Sequence, residues 1–324
     1  MSFSLPSLRA RAERTLPVTQ ELAIETRQLT KFYGKNRGVV DLDLDVRRGE
    51  IYGFVGPNGA GKTTTVRLLL DLIRPTRGSA TILGMDVGSQ SKAIRARTGF
   101  LPGELRMYDN LTGRQLLRFF GAVRGVTDMT YVHELAERLS TELNRRIGTL
   151  SRGNKQKLGV LQALMHRPDL VLFDEATSGL DPLMQQELYG ILNEYREQGG
   201  TVFFSSHYLN EVERICDRVG VIRDGTLILS DTLEALQERH VRRLRLEFAE
   251  PPHADFLSGL SGVQKESQQG TTVIALVQDN LAGALIEAAR YTVVDIEYQE
   301  RRLEDIFLQY YDTREESDAA QSSA

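Results

Sequence analysis

The segment GPNGAGKT, residues 56–63, places glycines, a lysine and a hydroxyl at the spacing of a phosphate-binding loop. Its glycines let successive backbone N–H groups face phosphate oxygens, which side chains would obstruct. We predict that Lys62 brings a positive charge to the β and γ phosphates of a nucleotide and that the hydroxyl of Thr63 binds Mg²⁺. The nucleotide contacts predicted in this region are Gly56, Asn58, Gly59, Ala60, Gly61, Lys62, Thr63 and Thr64.

Two carboxylates end the apolar run LVLFDE, residues 170–175. Asp174 is placed to hold Mg²⁺ directly or through water, and Glu175 to orient and deprotonate a water that attacks the γ phosphate. Consecutive residues of a strand point to opposite faces, so the two carboxylates have different roles. An acidic strand end alone is often only a surface feature, but the phosphate loop upstream favours the catalytic interpretation.

A histidine, His207, closes the next apolar run, TVFFSSH, residues 201–207. A lone histidine commonly has a structural or solvated role. Here the expected order of the sheet brings this strand end to the same crevice. We therefore predict a hydrogen bond from His207 to the γ phosphate and count it with Glu175 among the catalytic residues.

The segment TLSRGNKQKLGVLQALMHRP, residues 149–168, predicts a helix that begins after Ser151. Free backbone N–H groups, the helix dipole, Arg152 and Lys155 all favour an anion at its start. A capped helix that binds nothing is the alternative, and these residues alone do not decide between the two.

The patterns around these residues predict an α/β fold with a parallel sheet. VVDLDLDV (39–46) alternates apolar and acidic residues, which is typical of a strand with one buried face, and IYGFV (51–55) suits a buried strand before the phosphate loop. Helical patterns follow the loop, extend from about 111 to 165 and recur over 183–200. Ligands of such folds bind beyond the carboxyl ends of the strands.

Length and composition restrict the class of protein. The chain has 324 residues, which predicts two domains, and 40 basic against 44 acidic side chains give a net charge of −4. No basic excess indicates nucleic acid, so we expect no nucleic-acid partner. Cys216 is the single cysteine, on an apolar helical stripe, which indicates a core position in a reducing compartment. No apolar run is long enough to span a bilayer, and we expect a cytosolic protein.

The regions outside this core are assigned by composition. Residues 1–20 are expected to be a disordered extension, with a short membrane-surface helix as the alternative. Residues 313–324 are expected to be a disordered tail. Between 239 and 312 we predict a small α+β domain; its strands are expected at 242–249, 271–277 and 291–298, and its helices near 254–260, 280–290 and 302–311.

At this point the chain resembles a known family, the nucleotide-binding subunits of ABC transporters. GPNGAGKTT, LSRGN, LVLFDEATSGLD and SSH occur in that family's order and at roughly its spacing, and the resemblance extends from about 22 to 236. It implies a P-loop ABC-ATPase core over 21–238 with a parallel sheet, antiparallel N-terminal strands and a helical subdomain at about 105–165.

The resemblance also implies roles for residues that physical reasoning alone does not assign. The LSRGN residues Ser151, Arg152, Gly153 and Asn154 correspond to the signature that binds the γ phosphate of ATP held by a second chain. Asp181 of SGLD would line the interface between the two chains. Tyr33 would stack on adenine, with plain packing at a strand edge as its alternative.

Two departures from the family pattern affect these assignments. Arg152 and Asn154 replace the commonest residues of the signature. The family also has a glutamine that senses Mg²⁺ and the attacking water at a position where this chain has Gly103. We expect the neighbouring Glu104 to substitute as a Mg²⁺ ligand, and a solvated loop glutamate is the equally weighted alternative.

The resemblance finally implies a function. One cassette followed by an α+β extension resembles bacterial exporter subunits of the drug, lipid or antibiotic-resistance type. We expect ATP and Mg²⁺ as cofactors, and as partners a second copy or a homologous ATPase subunit together with a membrane permease on a separate chain. Such a subunit would lie on the cytoplasmic face of the membrane. A soluble ATPase acting on ribosomes or chromosomes is the alternative.

Overall fold

The structure is a computed structural model that describes residues 21–238, 242–278 and 280–299. Its first sheet is antiparallel and has the order β2-β1-β4-β5. The strands are β1 (Leu22–Tyr33), β2 (Asn36–Arg47), β4 (Arg77–Ile82) and β5 (Met85–Asp86). Apolar residues of β2 such as Leu42 and Leu44 are buried while Asp43 between them is exposed. The period-two pattern and the predicted antiparallel N-terminal strands are therefore confirmed.

The second sheet has six strands in the order β10-β9-β3-β8-β7-β6. Five strands are parallel, and β10 pairs antiparallel with β9. Every residue of β3, β7 and β8 is buried, as expected for strands with both faces covered. The strands are β3 (Ile51–Val55), β6 (Thr98–Leu101), β7 (Leu170–Asp174), β8 (Thr201–Ser206), β9 (Arg218–Arg223) and β10 (Thr226–Thr232).

Helices cover this sheet and form the region predicted to be helical. The helices before and after that region are α1 (Lys62–Leu69), α2 (Val87–Ala96), α6 (Pro182–Glu197) and α7 (Leu209–Ile215). Within it lie α3 (Gly113–Arg124), α4 (Thr130–Arg138), a 3₁₀ turn (Ile147–Thr149) and α5 (Arg152–Leu164). The apolar stripe of α5, including Leu158 and Leu161, is fully buried, which is why this helix is held firmly against the sheet.

The C-terminal part forms a third sheet, antiparallel, with the order β12-β13-β11-β14. Its apolar residues, among them Leu244, Leu246 and Val273, form a separate buried cluster. The elements are α8 (Leu233–Glu238), β11 (Arg242–Phe248), β12 (Val263–Gln269), β13 (Thr272–Val277), α9 (Leu281–Ala288) and β14 (Val293–Gln299).

Two expectations for this part were wrong. The helix expected near 254–260 is a series of turns, because N–H groups such as that of Phe256 bond three residues back and Leu257 has a positive φ of 69°. Strand β12 was not predicted, since its sequence VQKESQQ lacks apolar alternation. The helix expected at 302–311 and the segments 1–20 and 313–324 lie outside the described residues.

Candidate nucleotide site

The phosphate loop connects the buried strand β3 to helix α1. Gly59 and Gly61 have φ values of 82° and 114°, which favour glycine. A Cβ on Gly61 would lie 2.8 Å from the carbonyl oxygen of Gly38, so a side chain there would collide with the backbone. The loop therefore turns sharply and delivers its N–H groups to the start of α1, where anions are favoured.

Lys62 lies folded across this loop. Its Nζ donates to the carbonyl oxygens of Gly56 at 2.7 Å and Pro57 at 3.1 Å, and its side chain is only 5% exposed. Burial lowers the pKa of Lys62, while the nearby carboxylates of Glu175 and Asp174 oppose the shift. Phosphate oxygens can take the place of the two carbonyl oxygens, which would give this buried ammonium group a charged partner.

The residues expected at Mg²⁺ lie together. Thr63 Oγ1 donates to Asp174 Oδ2 at 2.8 Å, and Ser205 Oγ donates to Asp174 Oδ1 at 2.6 Å. In the described chain, no cluster of three or more histidine, cysteine or acidic side chains suits a metal. A hydroxyl beside a buried carboxylate nevertheless fits Mg²⁺, which prefers hard oxygen ligands and takes most of them from water and phosphate. Ser205 is a member of this group that sequence reasoning missed.

Glu175 faces two other predicted site residues. Its Oε1 lies 3.2 Å from Nδ1 of His207 and 3.9 Å from Nζ of Lys62. Glu175 has a φ of 54°, an unfavourable conformation for a non-glycine residue that its backbone hydrogen bond to Ser205 helps to hold. The turn directs the carboxylate away from the buried Asp174. The two carboxylates therefore have different surroundings, as alternating strand faces predict.

The aromatic residue predicted to contact adenine lies at the same site. A cavity of about 170 Å³ is lined by Tyr33 together with Asn58, Lys62 and other residues of the phosphate loop. Tyr33 is 44% exposed, which leaves its ring available for stacking. Arg37 also lines this cavity and pairs with Asp224 at 2.5 Å. Sequence reasoning missed Arg37, although its position four residues after Tyr33 in the connection to β2 was a usable signal.

The signature residues begin α5. Ser151 caps the helix, and its Oγ accepts a 3.3 Å hydrogen bond from the backbone N–H of Asn154. Arg152 donates to Ser178 Oγ at 2.6 Å. A Cβ on Gly153 would lie 2.5 Å from the carbonyl oxygen of Gly179, so glycine is required there. Ser151 and Arg152 are exposed, and neither lines the cavity at the phosphate loop.

Asp181 has a visible local role. It is the N-cap of α6 and accepts a 3.1 Å hydrogen bond from the backbone N–H of Met184. A cap of this kind contributes about 1 kcal/mol to stability. The structure thus gives Asp181 a structural role within the chain, and its expected place in an interface stays a prediction.

The loop after β6 carries the departure at Gly103. A Cβ at Gly103 would lie 3.2 Å from the carbonyl oxygen of Asp174 and 3.7 Å from its Oδ2. A side chain here would therefore contact the predicted Mg²⁺ residue. Glu104 is 85% exposed with a carboxylate oxygen 3.9 Å from Arg106, and it lines a cavity of about 580 Å³ together with Thr63. Its role as a Mg²⁺ ligand stays a prediction.

Comparison with known proteins identifies the family. Residues 39–178 match the sequence profile of the family described as ABC transporter. The bacitracin transport ATP-binding protein BcrA of Bacillus licheniformis is 38% identical over 230 residues, which are 70% of this chain and 75% of BcrA. The uncharacterized ABC transporter ATP-binding protein YcbN of Bacillus subtilis is 31% identical over 300 residues, 88% of this chain and 95% of YcbN.

A solved structure supports the same assignment. The structure of an ATP-binding subunit of an ABC transporter superposes with a TM-score of 0.62 at 29% identity and covers 67% of this chain and 92% of that one. Among the described residues, no helix combines the length and apolarity that a membrane span requires. The chain belongs to the ATP-binding proteins of ABC transporters, which are ATPases that couple ATP hydrolysis to transport.

Proposed function

We propose that this chain is the motor subunit of an exporter. Two copies, or one copy and a homologous subunit, close around two ATP molecules, and hydrolysis opens them. Closure is favoured by ATP because its γ phosphate contributes contacts to both halves, and loss of the phosphate removes that binding energy. The movement changes the access of a separate membrane permease.

One observation carries the proposal: the two anion-binding elements of the chain are separate. The phosphate loop, Lys62 and Tyr33 line one cavity. Ser151 and Arg152, at the start of α5, are exposed outside that cavity. A second chain can bring its α5 to the open side of the ATP, so that each site is completed by the other copy.

The residues at the site suit hydrolysis of the γ phosphate. Lys62 and the loop N–H groups hold the phosphates, and bound Mg²⁺ would neutralise their charge from Thr63 and Asp174. Glu175 accepts the proton of the attacking water, since its carboxylate is partly exposed and faces the same space as Lys62. His207 is 3.2 Å from Glu175, where it orients that carboxylate and can hydrogen-bond the γ phosphate.

An exposed apolar patch supports a membrane partner. Tyr108, Phe119 and Val123 are 59%, 50% and 69% exposed, and the rings of Tyr108 and Phe119 contact each other edge to face with centroids 6.3 Å apart. Exposed aromatic residues of this kind are typical of protein interfaces. We propose that the permease binds here and holds the subunit at the cytoplasmic face of the membrane, and the likeness to BcrA favours a drug or antibiotic as the exported substrate.

Copurification tests this proposal. The tagged chain is purified from native membranes in mild detergent, in parallel with Phe119→Glu and with Ile286→Glu, a control on α9 that is also exposed. We expect a stoichiometric multi-helix membrane protein with the wild type and the control. Phe119→Glu should lose this partner but still bind ATP. Ribosomes or DNA-binding proteins in its place would contradict the exporter and support a soluble ATPase.

A further inference from the structure

A buried carboxylate lies directly behind the hydrolysis site. Glu211, in the first turn of α7, has only 6% of its surface exposed. Its Oε1 accepts a 2.6 Å hydrogen bond from Thr177 Oγ1, and its Oε2 accepts one from Ser206 Oγ. Thr177 and Ser206 are 4% and 1% exposed, so water is excluded from these contacts.

The two hydroxyls come from the two segments that carry the predicted catalytic residues. Thr177 follows Glu175 by two residues, and Ser206 immediately precedes His207. Ser206 Oγ also accepts a 2.9 Å hydrogen bond from the backbone N–H of Tyr208, on the other side of the histidine. One carboxylate therefore holds both segments from behind.

Burial of this carboxylate has a cost that its neighbours on the helix avoid. An ionised group whose hydrogen-bond partners are neutral hydroxyls is expensive to remove from water. Val212 and Ile215 of the same helix are buried at no such cost. Both oxygens of Glu211 are used to reach two separate segments, which an apolar side chain at this position could not join.

Glu175 depends on such external support. Its φ of 54° lies in the left-handed region, and conformations of this type persist only where the surroundings hold them. The 3.2 Å separation of Glu175 and His207 joins two side chains whose backbone segments are linked through Glu211. A small displacement of either segment would change that separation.

We propose that Glu211 is a positioning residue for ATP hydrolysis: it fixes the segments of Glu175 and His207 at the separation that catalysis requires. The proposal rests on the proposed roles of those two residues. Glu211 contacts neither ATP nor the attacking water, so it acts on the rate of hydrolysis and leaves nucleotide binding unchanged.

The test compares steady-state ATP hydrolysis and ATP binding in full-length variants. Glu211→Ala should lower kcat by about 10-fold to 100-fold, since small misplacements of catalytic groups have effects of this size. KM for ATP should stay within about twofold, because the phosphate loop and Tyr33 are unchanged. Glu211→Gln keeps the length of the side chain and can accept from one hydroxyl and donate to the other, so it should restore much of kcat. Glu197→Ala, an exposed glutamate of α6, is the matched control and should behave as wild type.

A double-mutant cycle separates positioning from general destabilisation. In a His207→Ala background, Glu211→Ala should lower the single-turnover rate by much less than it does in the wild type, because its target is already absent. Thr177→Val removes one of the two hydrogen bonds at nearly constant shape. It should give an intermediate kcat, and it is the variant to use where Glu211→Ala does not fold.

Three results would overturn the proposal. The first is a wild-type kcat in Glu211→Ala. The second is a cycle in which the effects of Glu211→Ala and His207→Ala multiply. The third is a raised KM together with a lost ATP-binding stoichiometry in Glu211→Gln, which would make the residue merely structural. Absence of hydrolysis by the wild type would contradict the proposed function itself and is a separate outcome.

Discussion

The hydroxyl of Thr63 donates a 2.8 Å hydrogen bond to Oδ2 of Asp174, a residue 111 positions further along the chain. The contact forms because β3 and β7 both pair with β8, in parallel, so that their carboxyl ends lie at one edge of the sheet. It joins the phosphate loop to the strand that ends in two carboxylates. The sheet topology therefore assembles the site from distant motifs.

This contact predicts that Asp174 is needed for the metal and less for the nucleotide. Asp174→Asn should lower Mg²⁺-dependent hydrolysis by about 100-fold or more, because a neutral amide is a poor ligand for Mg²⁺. Binding of ATP in EDTA should remain close to that of wild type. Ser205→Ala removes only the 2.6 Å bond to the other carboxylate oxygen and should have a smaller effect. Equal metal dependence of wild type and Asp174→Asn would refute the assignment.

Tyr33 distinguishes stacking from packing. Tyr33→Phe keeps the ring and should bind ATP as wild type does. Tyr33→Ala should weaken ATP binding by about 1–3 kcal/mol, the size of an aromatic–base stack. Calorimetric titration with ATP measures both. If Tyr33→Ala lowers the melting temperature but not the affinity, its role is packing at the end of β1.

Glu104 can be tested through the metal requirement of hydrolysis. Glu104→Gln should raise the Mg²⁺ concentration at half-maximal rate if the carboxylate substitutes for the missing side chain at Gly103. Arg106→Gln, which removes only the 3.9 Å neighbour of that carboxylate, is the control. An unchanged Mg²⁺ titration would show that Glu104 is a solvated loop residue, in accord with its 85% exposure.

His166 predicts a loss of stability in weak acid. Burial, with a further contribution from Arg124, lowers the pKa of His166 to about 4, and its Nε2 lies 2.7 Å from the Arg124 guanidinium. The unfolded state binds a proton below about pH 6.5, whereas the folded state stays neutral. Stability is therefore lost as pH falls from 6.5 towards 4.

Urea unfolding at pH 7 and pH 5 measures this effect. Wild type should lose more stability between the two pH values than His166→Gln, because glutamine can accept a hydrogen bond from Arg124 but does not titrate. The same loss in both proteins would assign the acid sensitivity to other groups.

Sequence periodicity predicted the elements that carry the site. IYGFV and LVLFDE are short apolar runs, and both are strands with every residue buried. The helix predicted to begin after Ser151 starts at Arg152. These predictions succeed because local propensity, burial pattern and capping agree.

Other features depend on contacts between distant segments, and a single sequence does not reveal them. Nothing local to Glu211 indicates that its carboxylate joins the segments of Thr177 and Ser206. The bond from Arg152 to Ser178 likewise depends on how α5 packs beside the segment after β7. In the C-terminal sheet, the polar strand β12 is held by pairing with β13, which overrides its weak strand propensity.

The most direct test of the proposed motor is the mass of the Glu175→Gln variant in solution. Replacing the carboxylate by an amide should lower hydrolysis by about 10²-fold to 10⁴-fold, the usual contribution of a general base, and leave ATP bound. Analytical ultracentrifugation with Mg²⁺ and ATP should then show a dimer of two copies with two ATP molecules, and a monomer with ADP. A variant that stays monomeric with ATP bound, or hydrolyses ATP as fast as wild type, would contradict this account.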